Sequence, residues 1–413
     1  MEPVSNSSRR RRLWVGLVLA GVSVGMALLL LEGMARLLPP PYGPEQGPFY
    51  LCDEALGWTG KPNFQGVIEG LGFEQTVTFN RLGMHDTDHP RTKPANTTRI
   101  LMVGDSFVQA VQVAEAESAH QILEDYLNER AGAGANQFEV ISGGVINWGT
   151  NQQTLFYRQQ GRHFQPDVVL VMFYIGNDFL DNLPGNVLTI QGRNCYAPYF
   201  AMCDSDLIPA PLTYAPGVSR LDGNCGAVRR EVIDTLGRLY QHSRLYQHLE
   251  PLAVANQPRQ VFGQAYPSAF STLYLPPAEA ELAQAWQVTL ATLSHLKQAV
   301  EADGSRLVVA LISPDIAVRL GTLSPAEREI FLRDNPKFAE ANLNRPTQRL
   351  ADFLTGQGIP FLDLTPPLTA HLVVNKVPLY LVGDGHWTVE GNRVAGESLG
   401  QWLVEAGLVG VVE

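Results

Sequence analysis

The sequence predicts an α/β fold in three layers, a doubly wound parallel sheet with helices on both faces. Three observations predict it. Five apolar runs recur after residue 98, at Ile100–Val103, Phe138–Ile141, Val168–Tyr174, Leu307–Ile312 and Pro360–Leu364, and their near-continuous hydrophobicity suits strands buried on both faces. Stretches with the length and spacing of amphipathic helices, Glu117–Arg130, Asn151–His163 and Glu279–Ala302, separate most of them. The first three runs end in small polar turns, and alternating strand and helix signals with such turns mean a parallel sheet covered on both sides.

In chain order, Arg9 to Arg12 precede an uncharged run from Leu13 to Leu31, closed by Glu32 and Arg36. That run nearly spans a bilayer, and the basic cluster keeps its N-terminal side in the cytoplasm. We therefore expect a cytoplasmic tail at 1–12, a transmembrane anchor at 13–35 and an extracytoplasmic body on a single-pass cell-membrane protein. A cleaved signal peptide with Gly33-Met34-Ala35 at its cleavage site is the competing reading, and the apolar run is longer than such peptides use. Residues 41–97 form a Pro- and Gly-rich arm that includes GWTGKPNFQG and Phe79-Asn80-Arg81-Leu82-Gly83, with the patchy alternation of short strands. His85, Asp86, Asp88 and His89 carry metal-ligand chemistry, but no apolar framework fixes them, so they read as a solvated polar turn.

The domain proper is expected over 98–413, with an insertion at about 182–278 that is rich in Pro, Gly and Asn and has one helical stretch near Arg229–Glu250. A long insertion on the ligand edge of such a sheet sets specificity or covers the site. The four cysteines, Cys52, Cys195, Cys203 and Cys225, predict one or two disulfides in an exported domain, with the pairing left open and four reduced thiols as the alternative. No C-x-x-C pair points to zinc. The net charge is −11, yet residues 1–40 hold five Arg and two Glu, so the body is more acidic still. An acidic body excludes nucleic acid as a partner, because phosphate neutralisation needs clustered Lys and Arg.

The chemistry gathers at the carboxyl ends of the strands, where open α/β sheets bind ligands. The first gives Gly104-Asp105-Ser106, the second Ser142-Gly143-Gly144 followed by Asn147-Trp148-Gly149, and the third Gly176-Asn177-Asp178. A serine hydroxyl can attack an acyl carbon, while a closely approachable glycine N–H and an asparagine amide can stabilise the oxyanion that forms. Near the C-terminus, Tyr380 to Trp387 reads YLVGDGHW ahead of a helical stretch over about Val389–Val404. Asp384 can accept from imidazole Nδ1 of His386 while Nε2 faces the serine, which completes a nucleophile, a base and a group to orient that base.

These motifs, as an ordered set, resemble the SGNH hydrolases, the GDSL-type esterase and lipase superfamily, and most of all a membrane-anchored bacterial branch related to polysaccharide O-acetyl esterases and transferases. The likeness runs from about residue 55 to the C-terminus, with 182–278 poorly matched. It implies a flavodoxin-like SGNH hydrolase fold with Ser106 as nucleophile, Asp384 and His386 as acid and base, and the N–H of Ser106, Gly144 and Asn177 as oxyanion donors. Gly104, Asp105 and Asp178 support them. Three departures stand out: Ser142 and Asn147 replace the usual Asn and second Gly, no spacer separates Gly176 from Asn177, and Asp384 lies one residue closer to His386 than in many secreted esterases.

The resemblance implies a serine ester hydrolase working through an acyl-serine intermediate, without metal or cofactor, on O-acyl, chiefly O-acetyl, groups of surface carbohydrate. An O-acyltransferase to an exported polysaccharide uses the same triad and would need a membrane partner to deliver its acyl donor. A catalytically idle carbohydrate-binding or assembly protein is the reading from another class, and the complete triad argues against it. A lipase is a further alternative, and no long apolar lid is evident in 182–278.

Overall fold

The computed structural model describes residues 6–38, 45–131, 137–183, 186–190, 193–203, 206–210, 243, 245, 280–334 and 344–410. A long helix, α1 (Asn6–Ala35), comes first. Its 22 residues Trp14–Ala35 are long and apolar enough to cross a membrane by length and composition. Next come β1 (Glu45–Gln46) and two antiparallel hairpins, β2 (Tyr50–Asp53) with β3 (Gly57–Gly60), and β4 (Gln65–Gly70) with β5 (Phe73–Thr78).

The alternating part then runs β6 (Thr97–Gly104), α2 (Ser106–Gln109), α3 (Ala119–Ala131), β7 (Gln137–Gly144), α4 (Thr150–Gln159), β8 (Val168–Tyr174) and α5 (Asp178–Asp181). Four short strands follow, β9 (Val187–Ile190), β10 (Arg193–Tyr196), β11 (Tyr199–Cys203) and β12 (Asp206–Ala210). The chain continues with α6 (Ala280–Ala302), β13 (Arg306–Ile312), α7 (Asp315–Thr322), α8 (Pro325–Asp334), α9 (Arg345–Gly356), β14 (Phe361–Asp363), α10 (Thr365–Asn375) and α11 (Val389–Glu405). The helical stretch expected near Arg229–Glu250 lies outside the described residues apart from 243 and 245.

Five strands form one parallel sheet in the order β14-β13-β8-β6-β7. Numbered along the sheet's own strands this is 2-1-3-4-5, the flavodoxin-like winding. Alternate residues of each strand feed opposite faces. Leu101, Val103, Val169, Val171, Leu307 and Val309 pack with α4, α6, α9 and the β2–β3 hairpin. Ile100, Met102, Leu170, Met172, Val308 and Ala310 pack with α3, α10 and α11. Every one of these strand residues is fully buried, which is why the runs read as continuously apolar.

The arm is fastened to the domain by polar bonds as well as packing. Trp58 Nε1 donates to the Ile146 carbonyl at 2.8 Å and Trp148 Nε1 donates to the Trp58 carbonyl at 3.0 Å. A disulfide joins Cys52 on β2 to Cys195 on β10. The side chain of Cys203 and all of Cys225 lie outside the described residues.

One expectation is overturned. The His85–His89 segment is no solvated turn, for His85 and Asp86 are buried, at 1% and 4% exposure. The framework that fixes them comes from distant sequence: His85 Nδ1 pairs with the Gln109 carbonyl at 2.8 Å, and the Ser142 N–H donates to Asp86 Oδ2 at 2.8 Å. Among the described residues no group of three or more His, Cys, Asp or Glu side chains is arranged to hold a metal ion.

Candidate active site

The strand order reverses between β6 and β8, and the crevice beyond their carboxyl ends is where such a fold binds ligands. Ser106 opens α2 directly after β6. Asp105 caps that helix by accepting from the Phe107 N–H at 2.9 Å, which fixes the turn that presents the serine. Ser106 Oγ lies 2.7 Å from His386 Nε2, and His386 Nδ1 lies 2.5 Å from Asp384 Oδ1. The same Asp384 oxygen accepts the His386 main-chain N–H at 3.1 Å. Burial works against ionisation of Asp384, but its hydrogen bonds with His386 prevail and hold the carboxyl below its usual range. An imidazole so oriented can take a proton from Ser106 while a carboxylate stabilises the cation that results.

The loop that carries Asp384 and His386 is a tight hairpin between Leu379 and Thr388. The Leu381 N–H donates to the His386 carbonyl at 2.8 Å, and the Thr388 N–H donates to the Leu379 carbonyl at 3.0 Å. Gly383 and Gly385, at φ +84° and +91°, flank Asp384 in a region that only glycine enters freely. Thr388 then caps α11 through the Gly391 N–H. Two contacts absent from the sequence reading hold the hairpin over Ser106. Phe107 stacks near His386 and Trp387, with ring centroids 5.3 and 4.9 Å away, and the buried Gln112 donates to the Trp387 carbonyl at 3.0 Å. In the sequence Gln112 is one of two glutamines, with Gln109, in the otherwise apolar stretch Phe107–Ala114.

Gly144 ends β7, the edge strand of the sheet. Outward N–H groups on an edge strand need acceptors from elsewhere. Those of Phe138, Val140 and Ser142 are taken by Asn128 Oδ1 at 2.9 Å, Glu124 Oε2 at 2.7 Å and Asp86 Oδ2 at 2.8 Å. At a period of two, Gly144 is next in that row, so its N–H faces outward at the rim. A Cβ at 144 would sit 2.4 Å from Val108 Cβ and 2.8 Å from the Asp105 carbonyl oxygen, so only glycine brings the backbone this close to the Asp105-Ser106 turn.

Asn177 stands beside Asp105, where its side chain favours the Asp105 carboxylate, and its Oδ1 is buried without a protein partner. Burial pushes the Asp105 carboxyl up. Asp178 accepts the Tyr174 N–H at 3.1 Å, folding the turn back onto its own strand. Burial, then the nearby Asp105 and Asp181, push Asp178 well above the carboxylate range, and burial with Asp105 does the same to Asp181. Asp181, whose two oxygens are buried with no partner, was not singled out in the sequence. Gly104 closes β6 against Val108 and Met172, leaving no room for a side chain behind Ser106.

No family model and no curated protein matches the chain. Among solved structures it is similar to a GDSL-like lipase from Bacteroides thetaiotaomicron, with 11% identity, a TM-score of 0.35, and 77% of this chain and 93% of that one covered. It is similar as well to an acetyl xylan esterase at 10% identity and TM-score 0.37, covering 74% of this chain and 100% of that one. A catalytic mutant of an acetylxylan esterase from Geobacillus stearothermophilus gives 9% identity and TM-score 0.37, with 75% and 94% covered. Likeness at this level carries no argument about activity.

Proposed function

We propose that this protein is a serine ester hydrolase of the SGNH type that works through an acyl-serine intermediate. The observation that carries the reading is the relay from Ser106 Oγ to His386 Nε2 at 2.7 Å and from His386 Nδ1 to Asp384 at 2.5 Å, set at the topological switch point of the sheet. His386 takes the Ser106 proton as the oxygen attacks the ester carbonyl. The N–H groups of Ser106 and Gly144 and the Asn177 amide stabilise the oxyanion, and His386 returns the proton to the leaving alcohol. Water, activated by the same imidazole, then releases the acid and frees the serine.

The chain is anchored by α1, with its catalytic domain outside the cytoplasm. The apolar stretch of α1 and the Cys52–Cys195 disulfide support that placement, since disulfides persist in oxidising compartments. The substrate is an O-acyl, chiefly O-acetyl, ester of surface carbohydrate; the anchored branch that the motifs resemble supports this, by analogy of fold and motif. The test is hydrolysis of an aryl acetate by the purified full-length chain and by Ser106→Ala, with a fluorophosphonate probe and mapping of the adduct. Activity and label lost together with the serine support the reading. Activity that survives Ser106→Ala, or an adduct elsewhere, overturns it.

A further inference from the structure

The buried cluster around Asp86 belongs to the arm, yet it ends at the site. Asp86 Oδ2 holds the Ser142 N–H at 2.8 Å, two residues before Gly144. Two residues after Gly144, Ile146 is held at both ends: its N–H donates to Gln109 Oε1 at 3.0 Å and its carbonyl accepts from Trp58 Nε1 at 2.8 Å. Gln109 is itself fixed from the arm, by the Tyr50 hydroxyl at 2.7 Å on its Oε1 and by His85 on its carbonyl. Tyr50, Trp58, His85 and Asp86 therefore pin the backbone on both sides of one peptide N–H.

We propose that the arm is a positioning element for the oxyanion donor, with Asp86 as the residue that sets the direction of the Gly144 N–H. The proposal rests on the ester-hydrolase reading above. Its physical basis is the edge strand. Asn128 and Glu124, both on α3, cap the N–H groups at 138 and 140, but α3 supplies no acceptor at 142. Asp86 takes over there, so the last outward N–H fixed before Gly144 is held from a different part of the chain. A donor must reach within about 2.7–3.1 Å of where the oxyanion forms, and a shift of a few tenths of an ångström is enough to weaken it.

Asp86 is equipped to stay ionised in this role. Burial opposes its charge, but the pairing with His120 Nε2 at 3.6 Å and the hydrogen bond with His89 Nε2 at 3.3 Å overcome that and hold the carboxyl well below the usual range. Burial pushes His85 down to about 4, so a neutral imidazole meets the Gln109 carbonyl near neutral pH. Ser118, His120 and Asp86 repeat the residue types of the site without its access. Ser118 is fully buried and its Oγ donates to the Glu115 carbonyl at 2.5 Å, which makes it a structural bond.

The experiment compares Asp86→Ala, Asp86→Asn and Glu124→Ala in the full-length chain, reading kcat and KM on an aryl acetate beside the wild type and Ser106→Ala. Asp86→Ala should lose about 10- to 100-fold in kcat, part of the ~10²–10³ that an oxyanion donor contributes, with KM within about twofold. Asp86→Asn keeps an oxygen for the Ser142 N–H and should recover most of kcat. Glu124→Ala removes the same kind of bond from the same strand, further from Gly144, and should leave kcat unchanged. Equal kcat losses in Asp86→Ala and Glu124→Ala, or none in Asp86→Ala, overturn the proposal while an inactive Ser106→Ala keeps the hydrolase reading. If Asp86→Ala does not fold, Tyr50→Phe decides, with a severalfold loss of kcat at constant KM expected. If the wild type cleaves no ester, the hydrolase reading fails, and amide exchange still decides the positioning. Exchange over 142–146 should quicken in Asp86→Ala and not in Glu124→Ala, and unchanged exchange refutes it.

Discussion

Replacing Asp384 by Asn separates two effects that usually fall together. Where such a change turns the imidazole into the wrong tautomer, the loss in kcat is about 10⁴-fold. Here the oxygen that faces Nδ1 also accepts the His386 main-chain N–H at 3.1 Å. That N–H is an obligatory donor, so the amide of Asp384→Asn must keep its oxygen, and not its NH2, toward the loop. The tautomer is preserved and only the charge is lost. A charge-assisted hydrogen bond contributes about 1.5–3 kcal/mol and a neutral one about 0.5–1.5. The difference of about 1–2 kcal/mol corresponds to a fall in kcat of about 5- to 30-fold. The assay is steady-state hydrolysis of an aryl acetate by Asp384→Asn, with Asp384→Ala to report loss of the bond altogether. A 10⁴-fold loss in Asp384→Asn would refute the pinned-oxygen argument, and no loss would remove Asp384 from the relay.

Three other perturbations follow from the same geometry. Gly144→Ala places Cβ 2.4 Å from Val108 Cβ, about 1 Å inside ordinary carbon contact. It should lower kcat by about 10²–10³ while overpacking costs about 1–3 kcal/mol, read as a drop of several degrees in Tm; a normal kcat would exclude this N–H as an oxyanion donor. Asp181 has a folded-state pKa raised by burial, so its contribution is fully present below the ordinary carboxylate range and is lost as pH rises through the folded value. Asp181→Asn should therefore match the wild type near pH 4 and exceed it in Tm at pH 8, and a difference independent of pH would contradict the buried-charge account. Reducing Cys52–Cys195, which spans 143 residues of chain, or replacing both by Ser, should cost about 2–4 kcal/mol of stability, measured by denaturant unfolding.

What the sequence could show followed from how local each signal is. The strands at the middle of the sheet, β6, β8 and β13, were legible because both faces of each are buried, though β6 begins earlier than its apolar run. Arg99 lies inside that strand, fully buried and bonded to Glu139 at 2.6 Å, and an arginine gives no sign of such a position. The helices between residues 315 and 375 were not anticipated. Proline inside a helix breaks it, but Pro346 and Pro366 each stand in the first turn of their helices, where a missing N–H costs nothing. Ser106, Asp384 and His386 were legible because compact motifs carry them. The role of Asp86 was not, since the N–H it accepts, that of Ser142, lies 56 positions away.

The topology explains why the relay needs the end of the chain. In the 2-1-3-4-5 order the chain leaves β6 to one side and returns on the other, so the turns after β6, β7 and β8 meet at a single rim and supply the serine and the polar groups around it. A strand end can present a hydroxyl or an N–H there, but an imidazole must approach Ser106 from above the rim. That approach falls to the Leu379–Thr388 hairpin, which enters the core with α11 through the buried Leu379, Tyr380 and Trp387 on the same face as α3. Gln112 and Phe107, both close after the serine in sequence, grip that hairpin. The segment after Ser106 thus builds the seat for His386, and docking of the last helix brings the imidazole to the hydroxyl.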